Sequence, residues 1–135
     1  MDWTIKLWNP EKEKQAIYTF ESSHDWIYDV QWSPKHPAVF ASVNNSGYVD
    51  IWNINQNKEM PVVRWPEEDE QEKYNSRKEQ SHAPLNCLRW SADGRRLITG
   101  DALGKVTLFQ VHNDLANPSE EDFKNIVKLV EFESR

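Results

Sequence analysis

Apolar and polar residues alternate in short runs broken by turn residues, the pattern of strands that bury one face. Residues 2–8 (DWTIKLW) set Ile5 and Leu7 against Thr4 and Lys6 and end on Trp8. Residues 16–20 (AIYTF), 26–32 (WIYDVQW), 49–54 (VDIWNI), 60–65, 85–90, 96–100 and 105–111 read as further strands. Residues 38–43 (AVFASV) form a short continuous apolar run, which suits a strand buried on both faces. The connections carry turn chemistry. Pro34 and Pro37 withhold backbone donors after residue 32, residues 44–48 (NNSGY) lead into VDIW, and Asp93-Gly94 is a hairpin signal.

Two segments depart from this rhythm. Residues 66–80 (PEEDEQEKYNSRKEQ) hold many charges and one aromatic, too little apolar surface to offset the ordering entropy, and read as a solvated loop. Near the end, Ser119 is an N-cap candidate with Glu120, Glu121 and Asp122 in the first turn. Phe123, Ile126, Val127 and Val130 then follow an i, i+3, i+4, i+7 stripe, which predicts a short amphipathic helix.

The strands repeat as a group. Trp8 and Trp52 lie 44 residues apart, within the ~40–45 residue period of a four-stranded propeller blade. Trp32 and Trp90 lie 58 apart, and the charged loop accounts for the excess. His24 precedes Trp32 by eight residues, as His82 precedes Trp90. A turn position, Asp2, Ser46 or Leu103, stands six before each terminal aromatic, Trp8, Trp52 or Phe109. The expected organisation is a partial blade over 1–25, a complete four-stranded blade over 26–65, the charged insertion over 66–80, a last blade over 81–116, and an amphipathic helix and tail over 117–135.

Composition narrows the function. Only 38% of the 135 residues are hydrophobic, yet seven are Trp, so aromatic rings carry much of the available burial. A net charge of −6 argues against sequence-independent nucleic-acid binding and against an anionic membrane surface. Single-strand stacking needs aromatics interleaved with a basic groove, so a core role for the rings is the better reading. No apolar run approaches the ~20 residues of a membrane span, and the N-terminus lacks a signal pattern. The expectation is a soluble intracellular protein. Cys87 is the one cysteine, too few for an internal disulfide or a cysteine metal cluster.

No catalytic, cofactor or metal residues are assigned. His24, His36, His82 and His112 are the histidines, and two of them fall at matching repeat positions, which favours a structural role. His82 and Cys87 would point to opposite faces of a strand, with no orienting carboxylate evident. Four glycines in all leave no phosphate-binding loop. Trp26 and Trp65, at strand ends, are candidate partner contacts, as are Phe123 and Val127 on the helix. The charged insertion serves either as a solvated loop or as a contact with a basic partner. The helix packs on its own last blade or docks on a neighbouring subunit.

His24 followed by Trp52, and His82 followed by Phe109, with Ser-Pro and Asp-Gly turns between, resemble a WD-repeat β-propeller. That resemblance implies a buried polar staple in each blade, formed here by His24, Ser42 and Trp52, and by His82, Thr99 and Phe109. The Asp of the family's turn is matched only at Asp2, and Phe109 lacks an indole donor. More closely, DWTIKLW, IYDVQWSPKHPAVFASV, YVDIWNIN and LNCLRWSADGRRLITGDALGKVTLFQV resemble the last blades of dynein intermediate chains, the cytoplasmic form more than the axonemal. The resemblance implies an all-β, incomplete WD-repeat propeller of about two and a half blades with a C-terminal α-helix. It also implies a non-catalytic scaffold subunit in the cytoplasm, associated with microtubules, whose propeller binds the dynein heavy chain. Light chains and adaptors would bind through a region absent here, and the competing assignment is a generic WD-repeat scaffold of another complex.

An incomplete propeller leaves apolar sheet faces and strand edges uncovered. Expressed alone, the chain is therefore expected to self-associate as its concentration rises. Sedimentation showing a strict monomer with a sharp cooperative melt would contradict the incomplete-propeller reading.

Overall fold

The computed structural model describes residues 4–11, 16–20, 26–66 and 83–133, with side chains described to residue 129. Among these residues nine strands and two helices follow in order: β1 (Ile5–Leu7), β2 (Tyr18–Phe20), β3 (Ile27–Trp32), β4 (Val39–Asn44), β5 (Val49–Asn53), β6 (Val63–Trp65), β7 (Leu85–Trp90), β8 (Arg96–Asp101), β9 (Val106–Gln110), α1 (Asn113–Ala116) and α2 (Glu120–Glu133). They build three antiparallel sheets, each joined in simple chain order: β1-β2, β3-β4-β5-β6 and β7-β8-β9. A β-meander of this kind follows from short turns between neighbouring strands. The last sheet has three strands among the described residues, one fewer than a full blade. After β9 the chain turns into α1, whose Leu115 and Ala116 are buried in the core beside that sheet.

The middle sheet is covered on both sides. Every residue of β4 and β5 is buried, as the apolar run at 38–43 predicts. Because cross-strand neighbours share a face, the pairs Phe40↔Trp52 and Ser42↔Asp50 lie on one side, and Ala41↔Ile51 and Val43↔Val49 on the other. The first side meets the β1-β2 pair in a cluster of Phe20, Ala38, Phe40, Trp52 and Ile54, with Ile126 and Leu129 of α2 packed against it. The second meets the last sheet in a cluster that includes Val39, Val43, Ile51, Leu88, Leu97 and Val111.

Sheets two and three repeat in detail. Both first hairpins shift register near the start, between Ile27 and Asp29 and between Leu85 and Cys87. Both second hairpins turn the same way: Asn44 Oδ1 accepts from the Tyr48 amide at 3.0 Å, and Asp101 Oδ1 from the Lys105 amide at 2.8 Å. Gly47 and Gly104 close these turns at φ of 85° and 84°, a region where a side chain is strained. The turn acceptors are thus Asn44 and Asp101, two residues before the Ser46 and Leu103 positions singled out in the sequence.

Two hydrogen bonds tie the sheets together at β3 and β7. Asp29 Oδ2 accepts from the Leu88 amide at 3.1 Å while its Oδ1 accepts from the Val30 amide at 2.9 Å. Trp90 Nε1 donates to the Gln31 carbonyl at 3.1 Å. A carboxylate that satisfies an amide on the neighbouring sheet fixes the stacking register as well as adding energy. Asp29→Ala should lower stability by about 1–3 kcal/mol, because the Leu88 donor loses its acceptor. Asp29→Asn, which keeps one oxygen, should lose less than half as much, measured as the shift in urea midpoint.

Candidate interaction surface

The residues assigned to the blade staple fall in different settings. Trp52 is fully buried in an aromatic cluster, stacked on Phe40 with ring centroids 5.7 Å apart and edge-on to Phe20 at 5.2 Å. Its Nε1 has no hydrogen-bond partner among the described residues. Ser42 is buried on the same face, directly opposite Asp50. Thr99 is buried opposite Leu88 and Thr107. His24 and His82 lie outside the described residues, as does most of the charged insertion.

Trp26 and Trp65 both reach solvent, 39% and 45% exposed. Trp26 also anchors the turn after β4 by accepting from the Asn45 amide through its carbonyl at 2.9 Å. Trp65, on the edge strand β6, packs edge-on to Phe109 at 4.9 Å and so bridges the second and third sheets. It presents one side of its ring to solvent and holds the other against the fold, the disposition of an interface anchor.

The helix is oriented differently from the stripe read in the sequence. Ile126 and Leu129 pack inward and Asp122 is partly buried, whereas Phe123 and Val127 are 49% and 54% exposed. The cause is a polar anchor at the start of α2. Ser119 donates its amide to Asp122 Oδ2 at 2.8 Å and accepts the Asp122 amide on its hydroxyl at 3.4 Å, a reciprocal cap. Asn55 Nδ2 donates to the Asp122 carbonyl at 3.0 Å. The Asp122 carboxylate lies 3.3 Å from Nε2 of His36, off line for a well-formed hydrogen bond but close enough for charge attraction. These contacts turn residue 122 toward the sheets, and residues 126 and 129 follow it on the same face.

His36 is the histidine that this arrangement singles out. It is 1% exposed, and its Nδ1 accepts from the Ala38 amide at 3.2 Å, which leaves Nε2 to carry the proton toward Asp122. Ser33 Oγ accepts from the Lys35 and His36 amides at 3.3 and 3.1 Å and fixes the turn that presents it. Burial holds the imidazole below its ordinary value of 6.5, and Asp122 only partly opposes this. Partial burial of Asp122 works to raise its carboxyl, but the Ser119 amide and hydroxyl, the His36 charge and the Asn55 amide outweigh it and hold the carboxyl below its usual range.

A second ion pair crosses the middle sheet. Arg64 on β6 meets Asp50 on β5 through Nε–Oδ1 at 2.8 Å and Nη2–Oδ2 at 3.2 Å, with its guanidinium 5.1 Å from the Tyr48 ring centre. The bidentate geometry satisfies a carboxylate whose side chain is only 3% exposed. Among the described residues no group of three or more His, Cys, Asp and Glu is placed to hold a metal ion. Among the described residues no helix is long and apolar enough to cross a membrane. The polar groups that do meet are absorbed in holding sheets and helix together.

Stacked antiparallel meanders with these matched turns define a β-propeller repeat. The family described as WD domain, G-beta repeat matches residues 14–53 and 75–110, and the chain belongs to that family. It is 38% identical over 124 residues to Cytoplasmic dynein 1 intermediate chain of Drosophila melanogaster, which covers 91% of this chain and 17% of that protein. It is 28% identical over 129 residues to Dynein axonemal intermediate chain 2 of Mus musculus, covering 96% of this chain and 18% of that one. The similarity is therefore stronger to the cytoplasmic type, and the chain spans less than a fifth of the length of these relatives. The solved WD40 domain of Toxoplasma gondii coronin shares the fold, with a TM-score of 0.55 and 18% identity over 72% of this chain and 21% of that one.

The burial of His36, which its contact with Asp122 only partly offsets, makes stability depend on pH. A histidine harder to protonate in the folded chain than in the unfolded one binds fewer protons when folded, so stability falls as pH drops below about 6.5. The depressed Asp122 carboxyl acts in the same direction at lower pH, its contribution disappearing as pH falls through its folded value. Melting temperature should decline from pH 7 to about pH 5, and His36→Gln should flatten that decline. A profile unchanged by the substitution would show that His36 is not the group responsible.

Proposed function

We propose that the chain forms blades of a non-catalytic dynein intermediate-chain scaffold, whose propeller binds the tail of the heavy chain and serves microtubule-based transport in the cytoplasm. The observation that carries this reading is the 38% identity to the cytoplasmic dynein 1 intermediate chain along 91% of the chain. The architecture is compatible with it: the buried polar groups serve to lock sheets and helix, which suits a rigid platform whose function resides in its surface. Light chains and adaptors would bind through parts of the longer protein outside this sequence. The same reading assigns His24, Ser42 and Trp52, and His82 and Thr99, to the polar staples of the repeat. It assigns Trp26 and Trp65, with Phe123 and Val127, to partner contact.

The test is direct binding between a full-length protein that contains this chain and a recombinant dynein heavy-chain tail. Saturable binding is expected, and Trp65→Ala should weaken it about 10-fold or more if the ring is an interface anchor. A cooperatively folded protein that ignores the tail would overturn the heavy-chain assignment.

A further inference from the structure

The closing helix is held to the sheets lightly. Among its described side chains, those that turn inward are Asp122, Ile126 and Leu129, and each is only partly buried. Phe123 and Val127 of the apolar stripe stay in solvent. Docking therefore removes little apolar surface from water, and its stabilisation scales with that surface. The polar anchor is uneven as well. Among the described residues one hydrogen bond of good geometry crosses from the sheets to the helix, from Asn55 Nδ2 to the Asp122 carbonyl. The contact from His36 Nε2 to the Asp122 carboxylate is off line. The Ser119–Asp122 cap lies within the helix and its lead-in, so it holds the first turn together without tying it to the sheets.

The chain before α2 is built as a joint. α1 is fixed, because Leu115 and Ala116 are buried in the aliphatic cluster on the second side of the middle sheet. Pro118 disfavours helical backbone at Asn117, which is extended at φ −112° and ψ 109°. α1 stops there, and residues 117–119 carry the chain across to the aromatic cluster, where Ile126 and Leu129 pack. A fixed post, a short extended joint and a lightly held arm follow one another. The cluster beneath the arm keeps its own ring contacts, Phe20 and Phe40 on Trp52, without any residue of the helix.

We propose that α2 is a hinged strap, which opens and closes about residues 117–119 as a unit while the three sheets stay folded. Closed, it shows Phe123 and Val127 to solvent. Open, it adds Ile126 and Leu129 to them in one apolar arc and uncovers the end of the middle sheet at His36 and Asn55. The strap thereby decides which surface a partner meets. That role rests on the partner contact proposed above, whereas the motion itself needs no partner.

A helix of 14 residues is marginal on its own, so its amides exchange with solvent when the strap opens. Hydrogen exchange in a full-length protein that contains this chain, read by mass spectrometry, tests this. After correction for intrinsic rates, amides of residues 123–133 should exchange about 100-fold or more faster than those of β4 and β5. Asn55→Ala cuts the crossing bond and Ile126→Ala trims the inward edge; each should speed exchange in α2 about 5-fold or more and leave β4 and β5 unchanged. Val127→Ala, on the outward edge, raises helix propensity as Ile126→Ala does and should leave α2 no faster. One common rate for α2 and the central strands would overturn the strap, since the helix would then open only when the sheets unfold. So would equal acceleration of β4 and β5 in the variants. An α2 rate indifferent to both Asn55→Ala and Ile126→Ala would also overturn it, because the helix would then fray without a docked state.

Discussion

The structure rests on the burial of the middle sheet from both sides. Its two central strands have no solvent face, so neither flanking layer can be removed without exposing half of the apolar surface that stabilises it. One side is dominated by aromatic rings and the other by aliphatic side chains. On the aromatic side, ring packing on Phe20 and Phe40 fixes the position of the buried Trp52 indole. On the aliphatic side the Trp65–Phe109 contact is joined by Asp29 and Trp90, which reach across to backbone groups and align the layers. Dispersion and burial supply the energy; two directional bonds supply the register.

Much of this was legible in the residues themselves. The run at 38–43 announces a strand buried on both faces, the matched spacings of His and Trp announce repeated meanders, and Ser119 with Asp122 announces the start of a helix. Those signals are local, and local chemistry decides them. What the sequence did not disclose depends on partners distant along the chain. Asp29 reads as an ordinary polar position in an alternating strand, since nothing nearby shows that its acceptor role is toward Leu88. His36 reads as part of a Pro-rich turn, although its partner Asp122 lies on the closing helix. The helical stripe was misoriented for the same reason: periodicity identifies apolar residues on one arc, but the anchor at Asp122 chooses which edge of that arc turns inward.

The repeat is also informative where it fails. Both later sheets retain the same register shift and the same Asx-stabilised, glycine-closed turn, which are backbone features that any neighbouring sheet requires. Side chains on the outward faces have no such obligation. Among the described residues the third sheet has three strands and is followed by α1, whose Leu115 and Ala116 supply apolar surface to the core at that end. Membership of the WD-repeat family is thus carried by the turns and the layered core, while the resemblance to dynein intermediate chains is carried by the particular residues spread over them.

The shared register shift has one more consequence. At that position the second sheet holds a carboxylate and the third a thiol, though their backbones follow the same course. The two sheets are built to one pattern and are nevertheless not interchangeable. If their order along the chain were reversed, the thiol would face the amide that needs an acceptor. A shared backbone course with different side chains thus gives each sheet its own place in the stack.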